Sequence, residues 1–279
     1  MLIDKPAGPT SHDVVQRVRR AAGTRAVGHT GTLDPFATGL LVVLVGRATR
    51  LARFVESDRK TYQADVRLGV RTDTEDATGA VVDQWHGPWP TRPDVVAALQ
   101  RFTGAQQQRP PAYSAKHVAG ERSYQLARRG IEVELPEVPV TVHELELLAY
   151  EPPVMQVRAT VSAGTYLRAL GRDVGDALGT GAHVVALRRE RIGALEVTQA
   201  MPLASVTRGV ALLPPEAVLP QWPRIALDPE QRQAVRHGRS IQRGDLVAPH
   251  ALLMDQDELL AVAEVREDGL HPVVVLAAA

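Results

Sequence analysis

His29-Thr30-Gly31-Thr32-Leu33-Asp34-Pro35-Phe36-Ala37-Thr38-Gly39 runs straight into the apolar stretch Leu40-Leu41-Val42-Val43-Leu44-Val45. A continuous apolar run of that length reads as a buried strand, whereas Gly31, Asp34-Pro35 and Gly39 favour turns. The segment therefore reads as a polar loop that brings one carboxylate, Asp34, to the end of a rigid buried element. Backbone preference alone accounts for such turn residues. The same arrangement is also a way to expose a general base or a nucleophile.

Upstream, Thr10-Ser11 precedes Val14, Val15 and Val18 at helical spacing, and Gly23 supplies a stop. Downstream, Tyr62, Ala64, Val66, Leu68 and Val70 alternate with Gln63, Asp65, Arg67 and Gly69, which predicts a strand with one buried face. Thr91 opens a second helix, with Val95, Val96, Leu99 and Phe102 on one face and Gly104 at its end. Val157, Ala159 and Val161 alternate with Arg158, Thr160 and Ser162 as another strand. After Gly164 the period changes, and Leu167, Leu170, Val174 and Leu178 read as a helix. Thr165, Tyr166 and Arg168 thus lie where a strand turns into a helix, a position suited to projecting side chains into a cleft.

Pro214-Pro215, Pro220 and Pro223 mark a boundary. Beyond it come a short helix from Pro229 to His237 and the β-like runs Leu246-Val247, Leu252-Leu253, Leu259 to Val265 and Val273 to Leu276. These predict a body of residues 1–223 and a small barrel-like module over residues 224–279.

Composition sets limits on function. The 279 residues are 44% hydrophobic and 23% charged, which suits one large or two modest globular domains. There is no cysteine, so disulfides and thiolate metal sites are excluded. No apolar run approaches the roughly 20 residues that cross a bilayer. Met1-Leu2-Ile3-Asp4-Lys5-Pro6 has no signal-peptide character, so a soluble cytoplasmic protein with no membrane association is expected. The sequence contains no GxxxxGK[ST], HExxH or GxSxG string, which argues against a P-loop ATPase, a zincin or an α/β-hydrolase. The formal net charge is zero, yet residues 1–60 hold ten Lys or Arg against five acids, and residues 224–279 hold six Arg against nine. A neutral total can hide a basic face. Arg is strongly preferred to Lys and Asn is absent, a bias that either a GC-rich genome or thermal adaptation produces.

The extended string His29-Thr-Gly-Thr-Leu-Asp34-Pro-Phe-Ala-Thr-Gly39 resembles the catalytic motif of the TruB family of tRNA pseudouridine-55 synthases. Further motifs follow in colinear order. Leu2-Ile3-Asp4-Lys5-Pro6 with Thr10-Ser11 is similar to the family's first motif. Lys60-Thr61-Tyr62, Leu68-Gly69 and Thr72-Asp73-Thr74 with Asp76 and Gly79 are similar to the second. Pro110-Pro111, Tyr113-Ser114-Ala115, Gly164-Thr165-Tyr166-Leu167-Arg168, Gly181-Ala182-His183 and Leu187-Arg188-Arg189 continue the likeness to about residue 200. The tail resembles a PUA module more loosely. Ala163 stands where family members often carry Lys, which touches a phosphate contact rather than the chemistry. The resemblance implies an α+β pseudouridine synthase fold, a mixed and largely antiparallel sheet with flanking helices and a C-terminal RNA-binding PUA module. It also implies a uridine in the T-loop of tRNA as substrate, with no obligatory protein partner evident.

Pseudouridine formation breaks the N1–C1′ bond, turns the base over and rejoins it through C5. That chemistry requires no redox change, metal or ATP, so no cofactor is expected. It does require a group that adds to the nucleotide or removes a ribose proton, and Asp34 fits either role. Attack on the base, attack on C1′ and proton removal from C2′ all stay open. Arg168 is the natural partner to keep the carboxylate charged and oriented, although a surface arginine in a helix's first turn would look the same. The resemblance makes Tyr62 the ring stacked on the target base, where an ordinary core aromatic would otherwise be read. It places Tyr166 on the base's other side and has His29 fill the gap left by the flipped base. Lys5 and Pro6 would support the floor of the site. Asp73, Glu75 and Asp76 are read as a solvated acidic turn rather than a metal site, since no histidine is close in sequence, and His183 is read as structural. A non-catalytic RNA-binding protein on the same scaffold, or an isomerase of another RNA, are the competing readings.

Overall fold

The computed structural model describes residues 1–114, 116–118, 121–123, 126, 129–131, 135–242 and 244–276. Ala115 of the tyrosine-bearing motif and Arg243 of the tail lie outside the described residues. Strands are β1 Leu2–Lys5, β2 Val27–His29, β3 Thr38–Val45, β4 Lys60–Leu68, β5 Val70–Thr72, β6 Val81–Gln84, β7 Gly104–Gln108, β8 His117–Val118, β9 Glu121–Arg122, β10 Val138–Glu151, β11 Val154–Val161, β12 Ala182–Ile192, β13 Leu195–Glu196, β14 Met201–Pro202, β15 Arg224–Ala226, β16 His250–Asp255, β17 Glu258–Arg266 and β18 Gly269–Val275. Helices are α1 Ser11–Ala22, α2 Ala52–Glu56, α3 Arg92–Arg101, α4 Leu167–Ala177 and α5 Pro229–Arg236.

Among the described residues ten strands share one sheet in the order β14-β1-β3-β12-β4-β11-β10-β7, with β2 paired to β3 and β13 to β12. Among these, only β1–β14 and β3–β12 run parallel, so the sheet is mixed and largely antiparallel. The apolar run of β3 is continuous because both its faces are covered. Leu41 and Val43 pack with Val14, Val15 and Val18 of α1, while Leu40, Val42 and Leu44 pack with Leu252, Met254 and Val262 of the tail. Thr10 caps α1 reciprocally with Asp13, and Gly23 ends it in the left-handed conformation. β4 alternates as its sequence predicts, its inner face buried with Leu170 and Val174 of α4.

Four readings need correction. Val96 is exposed, because the buried face of α3 is Val95, Ala98 and Leu99, an i, i+3, i+4 set that leaves i+1 outside. Leu246-Val247 forms no strand, and Val247 is 92% exposed. The acidic turn is solvated only at Asp73: Asp76 is buried, and Glu75 is ion-paired to Arg172. The tail is an open sheet, β15-β16-β17-β18, with no closure among the described residues.

Closure is unnecessary because one tail face is covered by the body. Leu252, Met254, Leu259, Val262 and Val274 share a core with Leu2, Leu40, Val42, Leu51 and Val55. Phe54 packs edge-on to Trp222 at 5.1 Å between ring centroids, and Trp222 stacks on His250 at 4.5 Å. Arg47, Arg50 and Arg53 donate to the carbonyls of Leu276, Val275 and Val273. Among the described residues no helix is long and apolar enough to cross a membrane.

Candidate active site

The loop between β2 and β3 has few ladder hydrogen bonds of its own, so side chains from elsewhere hold it. Ser11, at the start of α1, both donates to the carbonyl of Leu33 (3.1 Å) and accepts from its N–H (2.9 Å). Lys5 is fully buried at the end of β1 and donates to the carbonyls of Pro6, Pro9 and Pro35 at 2.9, 2.9 and 3.2 Å. Those three bonds use all its ammonium hydrogens, so Lys5 holds the loop and has no donor left for a ligand. Burial pulls its pKa down to about 8, with Asp34 pulling up and Arg189 down.

Asp34 is met by Arg168 from the first turn of α4. The guanidinium Nε lies 2.9 Å from Oδ2 and Nη2 3.3 Å from Oδ1, a two-point contact. Its remaining donors reach the carbonyls of Thr74 (2.8 Å) and Tyr113 (2.9 Å), and Asp76 Oδ2 lies 3.6 Å from Nη1. Arg168 is thus buried between two carboxylates, while a third of the Asp34 side chain faces the cleft. Loss of hydration raises the Asp34 carboxyl above the ordinary range. Arg168 opposes that rise and the charge on Asp76 adds to it. A carboxylate so placed is oriented, and more basic than a solvated one.

Tyr62 lies on the buried face of β4 and is 7% exposed, packed in the cluster that holds Leu33 and Ala37. Tyr166 caps α4, and Gln108 fixes its backbone from both sides, accepting from its N–H at 2.8 Å and donating to its carbonyl at 3.1 Å. His29 ends β2, and its Nδ1 accepts from Gly31 N–H at 3.3 Å. Burial first, then Arg189, lowers the histidine pKa, which keeps the ring neutral at physiological pH. Among the described residues no group of three or more His, Asp or Glu is arranged to hold a metal ion. His183 is buried with Nδ1 2.8 Å from the Val70 carbonyl, outside this cleft.

The residue that sequence reasoning left without a role is Arg189, in the middle of β12 and 1% exposed. It has no carboxylate partner among the described residues. It donates instead to the carbonyls of Leu40 (2.7 Å), Gly31 (3.0 Å) and Thr32 (3.4 Å), and its Nη1 lies 3.5 Å from the Tyr62 hydroxyl oxygen. One cation therefore ties the Asp34 loop to the tyrosine beneath it. Gly39 makes this possible: its φ is 102°, and a Cβ there would overlap the Arg189 carbonyl. Two arginines in succession in a charge-rich string gave no sign that one of them points inward.

A profile of the TruB family pseudouridylate synthase N-terminal domain matches residues 19–167, and one of the tRNA pseudouridylate synthase B C-terminal domain matches residues 168–217. The ten-stranded sheet runs through that division, since β12 lies beside β4. The chain is 43% identical to a tRNA pseudouridine synthase B of Thermobifida fusca over 286 residues, 99% of this chain and 98% of that protein. It is 46% identical to the protein of the same name in Symbiobacterium thermophilum over 238 residues, 84% and 80% of the two chains. Among solved structures, one from a Cbf5-Nop10-Gar1 complex is similar with a TM-score of 0.73 at 26% identity, over 99% of this chain and 84% of that one. A chain from an H/ACA ribonucleoprotein bound to substrate RNA has the same fold, with a TM-score of 0.72 at 24% identity over 99% and 85% of the two chains.

Proposed function

As the chain belongs to the TruB family of pseudouridylate synthases, we infer that it converts the T-loop uridine at position 55 of tRNA into pseudouridine, with Asp34 as the catalytic carboxylate. The observation that carries this is the two-point Asp34–Arg168 contact, which leaves one side of the carboxylate open to the cleft.

In the reaction the N1–C1′ bond breaks and a C5–C1′ bond forms. C5 gives up its hydrogen as a proton and N1 ends with one, so no electrons are exchanged with a cofactor. Asp34 acts on the nucleotide directly, as nucleophile or base, and its raised pKa suits both. Tyr62 stacks on the extruded base, and its hydroxyl stands beside the Arg189 guanidinium. Arg189 donates to that oxygen, which turns the hydroxyl proton away from Arg189 and leaves it available for transfer. Tyr166 closes the base from the other side. Neutral His29 occupies the space the base vacates, where a charged ring would be costly to bury. Residues 1–223 form the catalytic unit in this reading. Residues 224–279 act as a PUA-like RNA-binding module, with Arg232, Arg236 and Arg239 near its short helix.

The test supplies tRNA carrying uridine tritiated at C5 and measures tritium release, because joining at C5 must displace that hydrogen. The wild-type chain is expected to release it. Asp34→Asn, which keeps the shape but is neither nucleophile nor base, is expected to lose at least about a thousandfold in turnover while binding tRNA normally. Near-normal turnover of that variant would remove Asp34 from the chemistry. Binding without any release by the wild-type chain would make this an RNA-binding protein.

A further inference from the structure

The geometry points to a phosphodiester-binding subsite at the far end of α1, separate from the catalytic cleft and lined by Arg17, Arg20 and Arg208. This rests on the reading that RNA is the substrate. A cavity of about 290 Å³ opens there, bounded by Arg17, Arg20, Ala21, Val206, Thr207 and Arg208. No acidic residue lines it. The two stretches that build it are also free of acids: residues 14–33 contain Arg17, Arg19, Arg20 and Arg25, and residues 197–215 contain Arg208.

No carboxylate offsets the charge of this cavity wall, unlike at Arg71–Asp176, Arg158–Glu190, Arg188–Asp4 and Arg191–Glu196, where arginines meet acids. Among the described residues the side chains of Arg20, Arg25 and Arg208 have neither an ion pair nor a hydrogen bond, and those of Arg17 and Arg19 bond only to carbonyls. Arg17 is held in place by the carbonyls of Val206 (3.1 Å) and Ala204 (2.9 Å), which fixes its fork at the cavity wall. Asp13, one turn before Arg17, is engaged by the N–H and hydroxyl of Thr10 at 2.8 and 2.7 Å.

A helix C-terminus attracts cations, but its partial charge is about half an elementary charge. That accounts for one arginine in the last turn, not for three around one cavity. Collected like charges repel unless a polyanion joins them, and guanidinium forks match phosphate oxygens. The placement also suits RNA. Ser11 of the same helix holds the Asp34 loop, and Arg17 and Arg20 lie six and nine residues further on. At about 1.5 Å per residue that is roughly 9 to 14 Å along the axis. A few nucleotides of backbone span that distance, so the subsite would hold phosphates of the strand whose uridine enters the cleft.

The experiment compares the full chain with Arg20→Glu/Arg208→Glu, leaving the anchored Arg17 in place. The milder Arg20→Gln/Arg208→Gln serves as a second variant, and thermal melts show that each is folded. Affinity for tRNA is measured from about 50 to 200 mM salt, alongside kcat and KM from tritium release. The expected result is about a tenfold loss of affinity at low salt, unchanged kcat, and a slope of log K on log salt flatter by about 1.5, at ~0.7–0.9 per lost phosphate contact. The Gln pair should show part of the same change. An unchanged slope would overturn the subsite. So would an equal loss in Arg92→Glu/Arg101→Glu, which alters net charge identically on exposed arginines of α3. Tritium release by the wild type together with an unchanged variant slope leaves the catalytic reading standing and the subsite refuted. RNA binding whose slope falls in the variant, with no release by the wild type, does the reverse.

Discussion

The Asp34 loop and the tail sheet are held by opposite means. Around the loop, buried charge does the holding: Lys5 and Arg189 grip carbonyls, and Arg168 sits between Asp34 and Asp76. In the tail, Leu252, Leu253, Ala261, Val262 and Ala263 are completely buried among apolar neighbours, and regular ladders satisfy the backbone. Apolar packing is spread over many atoms, so it degrades by degrees. A buried ion is held by a few directed contacts, and removing one partner strands the other at a cost of about 3–5 kcal/mol. The catalytic region should therefore lose function abruptly from one substitution, while the tail yields gradually.

The largest effect expected is at Arg168. Arg168→Lys conserves charge but cannot make the two-point contact or reach the Thr74 and Tyr113 carbonyls together. Turnover should fall by at least about a hundredfold. Because Arg168 lowers the Asp34 pKa, weakening it should move the acid limb of the pH–rate profile to higher pH. A Lys variant with wild-type rate and profile would show that the buried pair is dispensable.

Next is removal of the tail after Pro223. The cut uncovers Leu2, Leu40, Val42, Leu51 and Val55, so we expect the melting temperature to drop by at least about 15 °C, from apolar side chains at ~1.5–3 kcal/mol each and ~2–4 °C per kcal/mol. The truncated chain should keep kcat at saturating tRNA and show a raised KM. Collapse of kcat in a folded truncation would make the tail part of the site.

Asp76→Asn is a finer probe. The amide oxygen can still accept from the Thr78 N–H and hydroxyl. Asp76 raises the Asp34 pKa, so removing its charge should lower that pKa and carry the acid limb down by less than about one unit. A limb that stays put would mean that Asp76 acts only through the turn it shapes. The smallest effect should come from Arg50→Ala. It deletes one exposed donor to Val275 and should cost under about 1 kcal/mol in a denaturation curve, with kcat unchanged.

The same contrast governs how much could be read from the sequence. β3, β4, α1 and α4 were legible because each shows an apolar period that its packing uses. β12 was not, although it lies at the centre of the large sheet, because Arg188-Arg189-Glu190-Arg191 looks like surface. Arg189 is buried only because folding gathers carbonyls from Gly31, Thr32 and Leu40 around it, and no local pattern encodes that. Asp76 misled for the same reason: its cation lies 92 residues away. β16, β17 and β18 were legible, while β15 was not and Leu246-Val247 forms no strand; nor was the partner of the tail's inner face legible, since β3 and α2 supply it from the other end of the chain.

The two arginines that reach across to the last strand, Arg50 and Arg53, have a consequence beyond one molecule. β18 is the outermost strand of the tail sheet, and such an edge is a template on which a second chain can add its own strand. Here Leu270 exchanges hydrogen bonds with Ile241, Pro272 has no N–H, and Arg53 and Arg50 occupy the carbonyls of Val273 and Val275. Charged guanidinium caps along that rim leave no run of free acceptors for intermolecular strand addition, so the fastening of tail to body also guards the protein against self-templated aggregation.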